Sequence, residues 1–166
     1  MQTASGGGPL AALATASAAE LLAGIARASQ HWADGRAVAA QAESLRDRAM
    51  PLADLSVKAF EQAVAAEGGD FAVGRAYAEA AEPPLSIVEA AADVAELAAL
   101  VAEHCDPARR ADAVAAGLVA AGCAHAAAEL VAVNLTVSAN DERVRRADLL
   151  ADDAARTAEA ARAARE

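Results

Sequence analysis

Residues 108–136 read ARRADAVAAGLVAAGCAHAAAELVAVNLT, and after the opening arginines the stretch is nearly free of charge. Alanine is the strongest helix former, and no proline interrupts the run. A helix that is apolar on most of its sides is normally surrounded by others. The stretch therefore predicts a long central helix from about Ala108 to Thr136 and, with it, an all-α fold. On a helical wheel Asp112, Cys123, Leu130 and Asn134 fall within about 40° of one another. That stripe runs roughly 33 Å at the helical rise per residue.

The rest of the chain agrees with this class. Hydrophobic residues make up 56% of the 166, while aromatic residues make up only 2%. A core of that composition is built from small side chains, which let helices approach closely. The length suits a single domain over 1–166, in which residues 1–7 leave room for a flexible lead-in and 139–166 form a terminal helix. The expected architecture is an up-and-down bundle of about five to six helices. Twenty-four acidic against 14 basic residues give a net charge of −10, which argues against binding nucleic acid or an anionic membrane through a long-range field. Cys105 and Cys123 show no CxxC spacing, so reduced thiols and a cytoplasmic location are expected. No uncharged run reaches the length of a membrane span.

Outward from the central stretch, local signals place the other elements. Ser5-Gly6-Gly7-Gly8-Pro9 leads into a helix from about Pro9 to Gln30, with proline suited to the first turn. Three glycines at a helix start are either an anion cradle, with free N–H groups and a positive dipole end, or a frayed tail. On that helix Leu10, Leu13, Ser17, Glu20 and Gly24 share one sector, widened by Leu21, Leu22 and Ile25 into an apolar face. Glu20 within it is either the edge of the buried stripe or a carboxylate held for chemistry, since burial without a partner would be costly.

A second helix starts after Asp34-Gly35 and continues to about Glu67, bent or broken at Pro51, with Leu45, Leu52, Ser56 and Phe60 on one stripe. Asp54 faces the other way and is spaced to pair with Lys58. A short helix over Phe71–Ala81 ends at Glu82-Pro83-Pro84, and Ser86-Ile87-Val88-Glu89 matches a capping box for a helix ending near His104. His125 with Glu129, or His104 with Cys105, has metal-ligand chemistry, but no third ligand is visible and packed or surface side chains account for them as well. No metal is therefore expected. Arg109-Arg110 either neutralises a substrate carboxylate or opens the helix in solvent.

Taken as an ordered set, these landmarks resemble the cyclodeaminase/cyclohydrolase family, which includes the cyclodeaminase part of formiminotransferase-cyclodeaminase and methenyltetrahydrofolate cyclohydrolases. The shared pieces are Gly6 to Leu13, Leu45-Arg46 before Ala59-Phe60, Ala81 to Leu85, Asp112 opening a long alanine-rich helix, and Asn134-Leu135 near its end. The resemblance implies an up-and-down helical homodimer acting on a small molecule, with a tetrahydrofolate derivative as substrate and no covalently bound cofactor. It places substrate binding at Gly6, Gly7, Gly8 and Asn134. Family members close 5-formiminotetrahydrofolate to the methenyl form with loss of ammonia, or open the methenyl ring with water.

Both reactions pass through a tetrahedral carbon between two nitrogens, and a positioned carboxylate suits the proton transfers. This chain departs from the family where that carboxylate is expected. Ser56 replaces the Asp three residues before Ala59-Phe60, Pro9 replaces the Ser after the glycines, Ala111 replaces the Ser before Asp112, and Leu130 replaces the first Asn of Asn-Val-x-x-Asn-Leu. The candidate catalytic set is then Ser56, Asp112 and, as a relocated carboxylate, Glu20. Two alternatives to folate chemistry are a repurposed small-molecule cyclase of a specialised biosynthetic pathway and a non-catalytic helical partner protein.

Overall fold

The computed structural model describes residues 6–136 and 140–164. Residues 1–5 of the expected lead-in, and 137–139 and 165–166 of the terminal segment, lie outside the described residues. In chain order the α-helices are α1 (Gly7–Ala28), α2 (Gly35–Ala49), α3 (Leu52–Val64), α4 (Asp70–Ala80), α5 (Glu82–His104), α6 (Arg110–Asn134) and α7 (Glu142–Ala163). A single 3₁₀ turn, Pro107–Arg109, precedes α6. The all-α reading holds, and the described residues contain no strand.

Pro51 breaks the long second helix into α2 and α3, as expected, because proline cannot donate to the carbonyl one turn back, and the described residues form seven α-helices where five to six were expected. One boundary differs from the sequence reading. The helix assigned to a capping box at Ser86 begins four residues earlier, at Glu82, and Leu85 N–H already bonds the Ala81 carbonyl at 3.1 Å. Pro83 and Pro84 are tolerated there because first-turn residues have no intrahelical use for an N–H. Ser86 and Glu89 consequently lie inside α5.

Helix α5 carries the centre of the core, with Ile87, Val88, Ala91, Val94, Ala95 and Val101 fully buried. It packs against α6 and α7, while α1 packs against α2, α5 and α6. The α5/α6 contact is close: a Cβ built on Gly117 would stand 3.1 Å from the Ala98 Cβ. Helix α6, expected to be central, is covered on one side only. Leu118, Val119 and Val133 stay exposed along its outer face.

Helix α1 corrects the sequence reading more sharply. Its buried face is made of Ala11, Ala12, Thr15, Ala19, Leu22, Ala23 and Ala26, while Leu10 (71% exposed), Leu13 (46%) and Leu21 (43%) point to solvent with Ser17, Glu20 and Gly24. Tight helix contacts admit alanine and reject leucine at most positions, because interiors are packed to crystal-like density and have no room for extra methylenes. Both α1 and the Pro107–Asn134 segment are long and apolar enough to cross a bilayer, with roughly half of each apolar window buried inside the bundle.

Candidate functional site

The start of α1 is where three sequence landmarks meet. A Cβ built on Gly8 would fall 1.9 Å from the Ser56 Oγ and 2.8 Å from its Cβ, so the glycine and the serine occupy each other's space. On Gly7 the same construction meets the Leu130 Cδ1 at 3.4 Å. Helix α1, the middle of α3 and the last turns of α6 thus converge at one point. The stripe Leu52, Ser56, Phe60 turns α3 inward here, with Ser56 buried and Phe60 half-buried. Ser56 and Leu130, two of the four departures from the family pattern, both lie against the same glycine pair.

Two of the candidate catalytic carboxylates are not brought to this point. Glu20 lies twelve residues along α1 from Gly8, about 18 Å at helical rise. It is exposed and is bonded by the Arg46 guanidinium from α2, which also holds Asp47 at 2.8 Å. The hydrogen bond that Arg46 donates to Glu20, followed by the one it donates to Asp47, raises its pKa above the ordinary value. Asp112 is exposed in the first turn of α6, eighteen residues and about 27 Å from Leu130. Within one chain, then, only Ser56 of the three proposed catalytic residues stands at the glycine turn. The reason for the Glu20 error is the inverted α1 face: the sector read as buried is the outer one.

Asn134 is one helical turn beyond Leu130, about 6 Å along α6. Its side-chain amide donates to the Ala80 carbonyl at 3.0 Å, tying the end of α6 to the end of α4. Beside it opens a cleft of about 510 Å³ between α4 and the end of α6, lined by Asp70, Val73, Gly74, Tyr77, Val133, Asn134 and Thr136 among others. The sequence reading places none of the α4 residues in a site, because α4 is short and fully buries only Ala80, so its partly covered face does not stand out from the sequence. Asp70 and Tyr77 are the cleft's proton-carrying side chains.

The corner between α4 and α5 is clamped from α7. Arg143 donates to the Ala78 carbonyl at 2.9 Å, to Glu82 at 2.6 Å and to both oxygens of Asp141 at 3.1 and 2.8 Å. Asp141 also caps α7 by accepting from the Arg143 backbone N–H at 2.9 Å. Its carboxyl is held down at about 2, first by the Arg143 side chain and then by that backbone bond. One wall of the cleft is therefore fixed by Asn134 and Arg143 together.

Other candidates resolve into packing. Cys123 is buried against the Thr15 hydroxyl at the α1/α6 contact, and burial pushes its thiol pKa up. Cys105 is likewise a buried free thiol. His125 and Glu129 are both exposed, and among the described residues no cluster of three or more His, Cys, Asp or Glu side chains is placed to hold a metal ion. Trp32 stacks on His104, with ring centroids 5.4 Å apart. Arg110 donates to the Ala161 and Ala164 carbonyls at 2.9 and 2.6 Å, so it finishes α7 instead of facing a ligand. Asp54 and Lys58 are exposed, and no ion pair joins them.

A family model described as formiminotransferase-cyclodeaminase matches residues 1–152. Among solved structures, formiminotetrahydrofolate cyclodeaminase from Thermotoga maritima superposes with a TM-score of 0.81 at 18% identity, covering 96% of this chain and 85% of that one. At that identity the superposition speaks for the fold. No curated protein sequence matches the chain.

Proposed function

Because the chain belongs to the formiminotransferase-cyclodeaminase family, we propose that it is an acid–base enzyme that makes or breaks a C–N bond at a cyclic amidine or imine carbon, with a tetrahydrofolate derivative as the first substrate to test. The observation that carries this reading is the convergence of Gly7, Gly8, Ser56 and Leu130 next to a cleft that contains Asn134. Sequence-distant landmarks of the family meet at one place.

The chemistry assigns roles by position. The tetrahedral carbon needs one proton removed from the attacking group and one delivered to the departing nitrogen. Asp70 and Tyr77 in the cleft are the groups able to carry them, and the Asp70 carboxylate would also offset the cationic amidinium. Asn134 and Arg143 act as positioning residues, since they hold the α4/α5 corner through the Ala80 and Ala78 carbonyls. In the test, purified protein is mixed with 5,10-methenyltetrahydrofolate and its absorbance followed against a protein-free control. Accelerated loss, abolished by Asp70→Asn, supports the reading; a rate equal to the control sinks the folate version.

A repurposed small-molecule cyclase is the second reading, and one observation favours it: two of the four departures, Ser56 and Leu130, fall on the glycine turn itself. Thermal stabilisation by a non-folate metabolite, with none from folates, would select it. We also propose a homodimer, built on the exposed outer sides of α1 and α6. Leu10, Leu13, Leu21, Val119 and Val133 lie there exposed, and space is open over Gly24 and Gly122. Light scattering after size exclusion reads the mass directly, and a monomer at micromolar concentration overturns the dimer.

A further inference from the structure

Among the described residues, the first N–H groups of α1 find no acceptor. The helix's first regular bond is Leu10 N–H to the Gly6 carbonyl at 3.1 Å, Pro9 has no N–H, and Gly6 offers no side-chain cap. The N–H groups of Gly7 and Gly8 therefore precede the helical ladder, at the positive end of the helix dipole. Ser56 adds a second observation of a different kind. It is only 8% exposed, yet its hydroxyl makes no hydrogen bond among the described residues. Thr15, Ser17 and Ser29 bond back one turn, to Ala11 at 2.8 Å, Leu13 at 2.8 Å and Ile25 at 2.9 Å, whereas the helical hydroxyls without such a bond other than Ser56, those of Ser44, Ser86 and Thr157, belong to residues that are not buried.

The Ser56 Oγ is aimed at Gly8, at the place where any side chain there would begin. No fully enclosed side-chain oxygen among the described residues lacks a partner, so this one keeps contact with solvent. Gly6 and Gly7 beside it are exposed while Gly8 is buried, so a ligand reaches this point from the Gly6–Gly7 side.

We propose that the Gly7 and Gly8 N–H groups and the Ser56 hydroxyl form a seat for one carboxylate group of a small molecule whose apolar body rests on Leu130. Three neutral donors match a single negative charge, and in a protein of net charge −10 a dianion would meet more repulsion. A neutral serine accepts an anion; a carboxylate at the same position would expel it. The inference rests on placing the substrate at the glycine turn and specifies which charge its bound end carries. The amidine end would then lie toward Asp70 in the adjoining cleft.

The experiment uses the full chain, ¹⁵N-labelled, titrated separately with benzoate, benzamidine and inorganic phosphate. Benzoate is expected to shift the Gly7 and Gly8 amide resonances saturably, with neither benzamidine nor phosphate doing so. Ser56→Ala should weaken benzoate about tenfold or more, the effect of losing a hydrogen bond to a charged group. Ser56→Asp should abolish benzoate binding, and if that variant does not fold, Ser56→Ala carries the test alone. Shifts from benzamidine, from phosphate without benzoate, or benzoate shifts indifferent to Ser56→Ala each overturn the seat. Turnover of methenyltetrahydrofolate by a protein that fails these titrations would remove the seat and leave the proposed activity standing. Benzoate binding without turnover would do the reverse.

Discussion

Two polar groups near α1 present opposite cases. Glu20 is charged, exposed and already bonded by Arg46, while Ser56 is neutral, buried and without a hydrogen-bond partner among the described residues. From the sequence, the carboxylate is the more attractive catalyst. In the folded chain its charge is spent on a surface ion pair, and such pairs contribute little to either stability or binding. Functional availability here depends on an unfilled hydrogen-bonding valence in a protected place, and the serine has that while the glutamate does not.

The sharpest way to break the contrast is at Gly8. Gly8→Ala puts a methyl 1.9 Å from the Ser56 Oγ, so α1 and α3 must separate. Overpacking of this kind costs about 1–3 kcal/mol, against a helix-propensity gain of at most about 1 kcal/mol. Chemical denaturation should show a net loss of about 1–2 kcal/mol, restored by adding Ser56→Gly. The control is Gly24→Ala on the outer side of the same helix, where nothing stands within 4 Å of the new methyl. That change should stabilise by about 0.5–1 kcal/mol, provided the outer face is free of a partner under the conditions used. Equal losses at both positions would mean that the glycine turn has no special packing.

The acid limb sharpens the comparison with a carboxylate that does matter. The Asp141 carboxyl is lowered from 3.8 to about 2 by Arg143. A depressed folded pKa contributes stability that is fully present above the unfolded value and is lost as pH falls through the folded one. Stability should accordingly decline between about pH 4 and pH 2, and Asp141→Asn should remove that portion of the decline. A wild-type and variant pair with parallel acid limbs would contradict the Arg143 clamp. Because the clamp fixes the α4/α5 corner, the same variant should also weaken any ligand of the cleft.

The legible and illegible parts of this chain separate by residue size. Proline and glycine signals marked most boundaries correctly, since the backbone restrictions they impose act locally: Pro51 ended one helix and Gly68-Gly69 preceded another. Ser56 and Leu130 were identified as departures, and the fold brought both to the glycine turn. The face of α1 was misread because large side chains were taken to be the buried ones. At the tight contacts of α1 alanines mark most of the buried face, and Leu10, Leu13 and Leu21 are left outside while Leu22 and Ile25 are buried. The α4 wall of the cleft was invisible for a related reason, as an eleven-residue helix that fully buries a single alanine gives little sign of which neighbour it covers. Arg110 and Arg143 act on backbone carbonyls more than fifty residues away, which no spacing rule can anticipate.

Glu20 itself offers the smallest effect and the most direct trial of the comparison. Glu20→Gln keeps the side chain's shape and removes its charge, leaving Arg46 bonded to Asp47 on its own helix. Because both partners of the lost pair are solvated, the melting temperature should not change measurably in 0.15 M salt. If the acid–base machinery lies at the glycine turn and the α4 cleft, turnover of methenyltetrahydrofolate should also be unchanged, while Ser56→Ala alters KM through the carboxylate seat. One arrangement would reverse this: a second copy delivering its Glu20 into the cleft across the outer α1/α6 face. Mixing Glu20→Gln chains with Asp70→Asn chains then discriminates, because shared sites would regain activity in the mixed dimer and self-contained sites would retain only the activity of the Glu20→Gln subunits.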